Sequence, residues 1–256
     1  MTVLDWCRHC TNEEVMTLEH LPPKSAGNDQ PINFVDEAST IIREFSEGHA
    51  IPALCDGCNN GASTRGLPGA YKLWRNDVIA AIETTTAASS KGKPFNIWRA
   101  SLSVDVDHSY ALHPGRVARH VLGMLLAVQS RRQLITDHPW LRDAYSSEDE
   151  ASIAPLTLHV ALANTGFGYF TDAVAAVTID LKQGTSEATD MHLWCFSPFL
   201  ATLVDGPSPP WPATRIDQWL GHPTSYHFRK QDRRVGYPIA DRSHPAIGML
   251  YQGSDL

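Results

Sequence analysis

Four of the five cysteines in this 256-residue chain come as two Cys-x-x-Cys pairs, Cys7 with Cys10 and Cys55 with Cys58. Between the pairs lies Glu19-His20-Leu21-Pro22-Pro23, and Asn59-Asn60 follows the last cysteine. Each pair sets two thiolates within reach of one tetrahedral ion, and two pairs complete a closed four-cysteine zinc site. The pairs are separated by 44 residues, more than the usual gap between the halves of a small zinc ribbon, so a folded segment must be inserted between them. Two disulfides or a CxxC redox centre are the competing readings. Met1 to Trp6 has neither the basic nor the apolar region of a secretory leader. A cytoplasmic, reducing setting is therefore expected, and it favours zinc. Four thiolates leave no open position for substrate, so such a site is structural, and its binding energy helps to fold a segment with little core of its own.

The segments CRHC, EHLPP, SAGN and LCDGCNNG, in that order, resemble the HNH, or ββα-metal, nuclease family. The likeness is to members with a four-cysteine zinc site beside the active centre, phage junction resolvases among them, and it extends to about residue 65. It implies a zinc-stapled ββα-metal, treble-clef-like module. It also implies that His20 is the general base that takes a proton from the attacking water, with Glu19 and Asn59 holding one Mg²⁺ or Mn²⁺ through oxygen ligands. That ion would neutralise charge on the phosphate and the leaving 3′ oxygen. Adjacent Glu19 and His20 suit a strand, where successive side chains point to opposite faces. An unperturbed imidazole is neutral above about pH 6.5, as a base must be. The chain departs from the family pattern in two places. Many members have Asp where Glu19 stands, and an Asn about five residues before the third cysteine, where this chain has Ala50 beside His49. Asn28 and Asn33 are candidate replacements.

The remaining elements must position these groups. Pro31 to Val35 reads as a short strand, Glu37 to Glu47 as a short amphipathic helix with Ile41, Ile42 and Phe45 at helical spacing, and Ile51 to Leu54 as the strand into the second knuckle. Asn59 and its successors should open the helix of the ββα unit. Gly66-Leu67-Pro68-Gly69 marks a boundary between a module over 1–66 and an accessory domain over 67–256. A helix is expected over 70–89 and a strand over 96–106. Pro114 begins the strongest helix, apolar nearly all round through Val128, which belongs either to a core or to an oligomer seam. Arg116, Arg119 and His120 sit at its start and Arg131-Arg132 at its end. Strands over 156–163, 173–181, 191–196 and 199–204 suggest an antiparallel sheet packed on that helix, with Gly166 to Tyr169 as a hairpin turn and Cys195 as a core thiol. The expected class is α+β.

Charge limits the partners. The chain balances to −7, with three Lys/Arg against ten Asp/Glu in residues 1–60 and 18 of each sign thereafter. An acidic module must find its grip on phosphate elsewhere or through its metal. Residues 215–242 hold six Lys/Arg against three Asp, interleaved with Tyr226, His227, Phe228 and Tyr237. Arg229, Lys230, Arg233 and Arg234 are the candidate nucleic-acid contacts, since charge meets phosphates and flat rings meet bases. A charged segment wrapping the fold is the plainer reading of the same residues. The other histidines lack ligand spacing and read as scattered surface or core residues. No apolar run approaches the length of a membrane helix. The sequence thus points to a metal-dependent endonuclease acting on DNA ahead of RNA, working as a homodimer where both strands are cut. A zinc-stapled binding scaffold without chemistry is the rival.

Overall fold

The computed structural model describes residues 3–35, 41–45, 47–90, 103–129, 133–163, 167–169, 174–180, 185–206 and 208–240. Strand β1 (Val3–Trp6) pairs antiparallel with β2 (Glu13–His20). A 3-10 turn at Lys24–Ala26 leads to a hairpin of β3 (Ile32–Val35) and β4 (Ile41–Phe45), and β5 (Ala50–Cys55) returns alongside β2. The sheet order is β1-β2-β5, with His20 opposite Ala50 and a bulge between Thr17 and Leu18. Helix α1 (Asp56–Thr64) follows β5 without a loop, so Cys55 and Cys58 straddle a strand–helix junction.

The expected helix over Glu37–Glu47 is corrected by this hairpin. Ile41–Phe45 is a strand, with Phe34 opposite Arg43, while residues 36–40 lie outside the described residues. Ile41, Ile42 and Phe45 are β-branched or aromatic types that fit a pleated surface, and strand pairing overrides so short a helical spacing.

Helix α2 (Leu67–Ser90) starts directly after Gly66, whose φ of 70° makes the corner with α1, and it carries Pro68 in its first turn, where a missing N–H costs nothing. Strand β6 (Ser103–Asp107) alternates, burying Val104 and Val106 and exposing Asp105 and Asp107. Residues 91–102, including the first part of the strand expected over 96–106, lie outside the described residues, as does Arg131-Arg132. Helix α3 (Pro114–Ala127) buries every residue except Arg116. Its apolar circumference is covered within the chain, so it is the central helix of a core. Short helices α4 (Gln133–Asp137) and α5 (Trp140–Ser146) follow.

Strands β7 (Leu156–Leu162), β8 (Phe167–Tyr169), β9 (Val174–Asp180), β10 (Thr185–Phe196), β11 (Phe199–Asp205) and β12 (Thr214–Arg215) form one sheet of order β12-β7-β11-β10-β8, with β9 also on β10. Every pairing in it is antiparallel. Phe167–Tyr169, expected as a turn, is instead a strand paired with Trp194–Phe196. Cys195 is buried, as expected. A last strand, β13 (Arg234–Pro238), pairs with β6. Among the described residues no helix is long and apolar enough to cross a membrane.

One hydrophobic core runs from Cys7, Leu21 and Leu54 through Tyr71, Trp74 and α3 to β7 and Phe199, without a break at residue 66. Trp74 stacks on Phe199 at 3.8 Å between ring centroids. Its indole N–H donates to the Tyr237 hydroxyl (2.9 Å), which lies 2.7 Å from His108 Nε2, and His108 Nδ1 lies 3.3 Å from the Asp77 carboxylate. This buried polar chain fastens β13 and β6 to α2. A second fastening is Arg119, fully buried on α3, whose guanidinium donates to the carbonyls of Gly115 (2.9 Å), Ser147 (2.7 Å), His222 (3.1 Å), Asp149 and Leu220. Arg119→Met would leave these carbonyls walled in without a donor, at a cost of about 3 kcal/mol. We expect the melting temperature to fall by roughly 10 °C, read by calorimetry.

Candidate functional site

The two cysteine pairs meet where β1, β5 and α1 converge. The turn after β1 is closed by Cys7 N–H to Asn12 O (2.9 Å) and Thr11 N–H to Cys7 O (3.0 Å), with Thr11 in the left-handed region at φ 64°. The Arg8 N–H reaches Ala53 O of β5 (2.9 Å), and the Cys55 N–H points at Cys7 Sγ (3.4 Å). The sulfurs of Cys7, Cys10, Cys55 and Cys58 all lie within 4.8 Å of one another, close enough to hold one metal ion. Tetrahedral Zn–S bonds of about 2.3 Å put sulfurs about 3.8 Å apart. Cys10 Sγ and Cys55 Sγ are 3.8 Å apart. No disulfide joins any cysteine of the chain. The thiol of Cys58 and then backbone N–H groups hold the Cys7 thiol well below its ordinary range, while burial, and after it the neighbouring Cys7, push Cys10 up. Four crowded sulfurs cannot all ionise unaided, and a divalent cation resolves that conflict. The donor set and the spacing both fit zinc.

Glu19 and His20 end the central strand β2 and face opposite ways. On the side of His20, Leu18 is exposed and Lys24 forms an ion pair with Glu47 at 2.7 Å. Burial, and then the Lys24 charge, lower the His20 imidazole below its ordinary range, so it is neutral at pH 7. The turn that follows His20 is braced by Asn28, which is fully buried. Its amide donates to Pro22 O (2.7 Å) and His49 O (2.8 Å), and its Oδ1 accepts from the His49 N–H (2.7 Å). Gly48, at φ 83°, permits this approach, since a Cβ there would lie 2.1 Å from Asn28 O. Asn28 therefore ties the His20 turn to the start of β5, beside His49 and Ala50.

On the other face, Thr17 and Glu19 look towards α1 and the core. The Asn59 amide donates to Thr17 Oγ1 (3.1 Å). Glu19 lines a cavity of about 10 Å³ together with His9, Leu21, Leu54, Ala62, His120, Gly123, Met124, Ala127 and Tyr145, and Asn59 is not among these residues. A space of that size holds about one water or ion. Desolvation pushes the Glu19 carboxyl up to about 7. Burial depresses His9 to about 4 and His120 to about 3, so both rings are neutral. His120, noted from the sequence only as a residue at the start of α3, and Tyr145 come from helices far along the chain, and nothing in their spacing links them to Glu19.

The expected nucleic-acid contacts divide in two. Arg233 pairs with Asp107 (2.7 Å) while lying 3.9 Å above the exposed Tyr110 ring, and Arg234 lies 3.9 Å from Asp105. Arg229 and Lys230 are exposed, Arg229 5.7 Å from the Tyr226 ring, and neither has a carboxylate partner among the described residues. Tyr237 and Phe228 are buried and take no part in a surface.

Compared with known proteins, the chain matches no family model, no curated protein and no solved structure.

Two outcomes follow from this geometry. Purified protein should carry one zinc per chain, and Cys55→Ser should lose it together with about 10 °C or more of melting temperature, read by metal analysis and calorimetry. The Glu19 carboxyl titrates higher folded than unfolded, so folding holds it protonated. Stability from this group is lost as pH rises from about 4.5 through about 7, by about 3 kcal/mol. Without added divalent cation, the melting-temperature advantage of Glu19→Gln over wild type should therefore be least at pH 5 and reach roughly 5–10 °C at pH 8.

Proposed function

We propose that the chain is a metal-dependent endonuclease of the HNH type, acting on DNA, with structural zinc on the four cysteines and Mg²⁺ or Mn²⁺ at Glu19. The observation that carries this reading is the division of labour at the end of β2. A neutral, proton-accepting His20 lies on one face and a desolvated carboxylate on the other, with Asn59 of α1 one hydrogen bond from the strand between them. His20 is the base that takes the proton of the attacking water. Asn28 holds the turn that sets its direction. Glu19 and the Asn59 side-chain oxygen are the oxygen donors. A divalent ion, when bound, supplies neutralisation of the phosphate and the leaving 3′ oxygen. Arg229 and Lys230 supply phosphate contacts that the acidic module lacks, and two copies of the chain would cut two strands.

A second reading is favoured by the enclosure of Glu19. The cavity is far too small for a phosphodiester, and Asn59 stands outside it, as in a zinc-stapled binding scaffold in which Glu19 is only a core carboxyl. Cleavage separates the two. Supercoiled plasmid, single-stranded DNA and RNA are incubated with Mg²⁺ or Mn²⁺ and wild type or His20→Ala. The nuclease reading expects metal-dependent cutting that falls by a factor of 10² or more in the variant. Wild-type protein that is folded and zinc-loaded yet cuts none of the three would support the scaffold.

A further inference from the structure

A module with three Lys/Arg against ten Asp/Glu needs positive charge from elsewhere if it is to hold a phosphate chain at His20. The turn after His20 receives such a charge. The 3-10 turn Lys24–Ala26 ends at Gly27, an exposed residue in the left-handed region at φ 89°. Helix α2 packs on this turn and lays the Arg75 guanidinium against Gly27. A Cβ at Gly27 would stand 3.1 Å from one Arg75 Nη, 3.2 Å from the other and 3.3 Å from the carbon between them. The guanidinium therefore meets the turn nearly face-on, and glycine leaves that approach open.

Protein contacts leave this cation largely unspent. One Arg75 Nη reaches Ser197 O at 3.5 Å, the limit of a hydrogen bond, and Arg75 Nε has no partner among the described residues. The guanidinium carbon lies 5.9 Å from the Phe196 ring, and among the described residues no carboxylate pairs with it. By contrast Arg119, Arg215 and Arg233 each hold an oxygen at 2.7 Å. Lys72 is exposed one helical turn before Arg75, its neighbour on the helix surface. Lys24, paired with Glu47, stands one 3-10 turn before Gly27, and its charge is felt at the His20 imidazole. The three cations thus lead from the candidate base out over α2.

We propose that Arg75, flanked by Lys24 and Lys72, is a phosphate-binding residue that holds the DNA backbone beside the bond attacked at His20. The inference rests on the nuclease reading and gives it a substrate grip on α2, outside the cysteine module. A guanidinium presents paired N–H donors that match two phosphate oxygens, as an ammonium does not. Gly27 lies beyond Lys24 along the turn, so Arg75 serves a phosphate next to the attacked one and touches no reacting atom. Its half-buried setting between Gly27 and Phe196 restricts the side chain before DNA arrives, which lowers the entropy lost on binding.

The test is binding of fluorescein-labelled duplex DNA to the full zinc-loaded chain without added divalent cation, read by fluorescence anisotropy over a range of salt concentrations. Arg75→Gln should weaken binding about fivefold at low salt and reduce the slope of log affinity against log salt by about 1, while Arg75→Lys keeps the slope. Lys72→Gln, at an exposed position, should act in the same direction, so the test survives an Arg75 variant that folds poorly. The same charge change at Arg142 on α5 should leave the slope as in wild type. Wild-type affinity and slope in both Arg75→Gln and Lys72→Gln, with plasmid still cut in Mn²⁺, would overturn the grip and leave the nuclease reading in place. So would an Arg75→Lys chain that loses as much slope as Arg75→Gln, since the guanidinium would then be a structural tether. Wild type that neither binds nor cuts DNA would overturn both.

Discussion

The convergence of four sulfurs from β1, β5 and α1 is the constraint on which the rest of the amino-terminal structure depends. Residues 11–54 carry the hairpin of β3 and β4 and a tight turn, and a loop of that length is costly to close without a fastening. An ion held by the four sulfurs would close it at one point. The Arg8 N–H bond to Ala53 and the Cys55 N–H bond to Cys7 Sγ then bring β5 against β2, and that pairing sets Glu19 opposite Ile51 and His20 opposite Ala50. The orientation of the two side chains is a consequence of strand geometry once the register is fixed.

The second constraint is the packing of this module on α3 and α5. His9 reaches Gly123 O, and Arg65 reaches Tyr145 O while lying 4.7 Å above its ring. Gly123 has no side chain because a Cβ there would stand 2.5 Å from Tyr145. The accessory elements therefore form one wall of the space at Glu19, and the core is continuous across the boundary that Gly66 to Gly69 suggests. This is what gives a carboxyl at the end of a surface strand the environment of an interior group, and it brings His120 to the same place.

Much of this was legible in the residues. The Cys-x-x-Cys spacing announced the thiol cluster, the apolar circumference of Val117 to Val128 announced a buried helix, and the β-branched runs from Leu156 announced an antiparallel sheet against it. The strand at Ile41–Phe45 was misread because two turns of apparent helical spacing carry little weight against a neighbouring strand. Asn28 was visible as a candidate, but its three bonds depend on the tight approach allowed at Gly48. The place of His120 and Tyr145 beside Glu19 could not be read, since nothing in their spacing reveals which strand they will pack against. Arg119, at first sight one of several charges at the start of α3, proved to be a buried clamp because five carbonyls converge on it.

Two metal sites are proposed for this chain, one on the four sulfurs and one built on Glu19. Anomalous diffraction from crystals of the full chain soaked in Mn²⁺, recorded at the zinc edge and at a wavelength selective for manganese, tests this claim most directly. We expect a zinc peak at the centre of Cys7, Cys10, Cys55 and Cys58 and a separate manganese peak beside the Glu19 carboxylate. A zinc peak alone, with no manganese at Glu19, would contradict the claim and leave the chain a zinc-stapled scaffold.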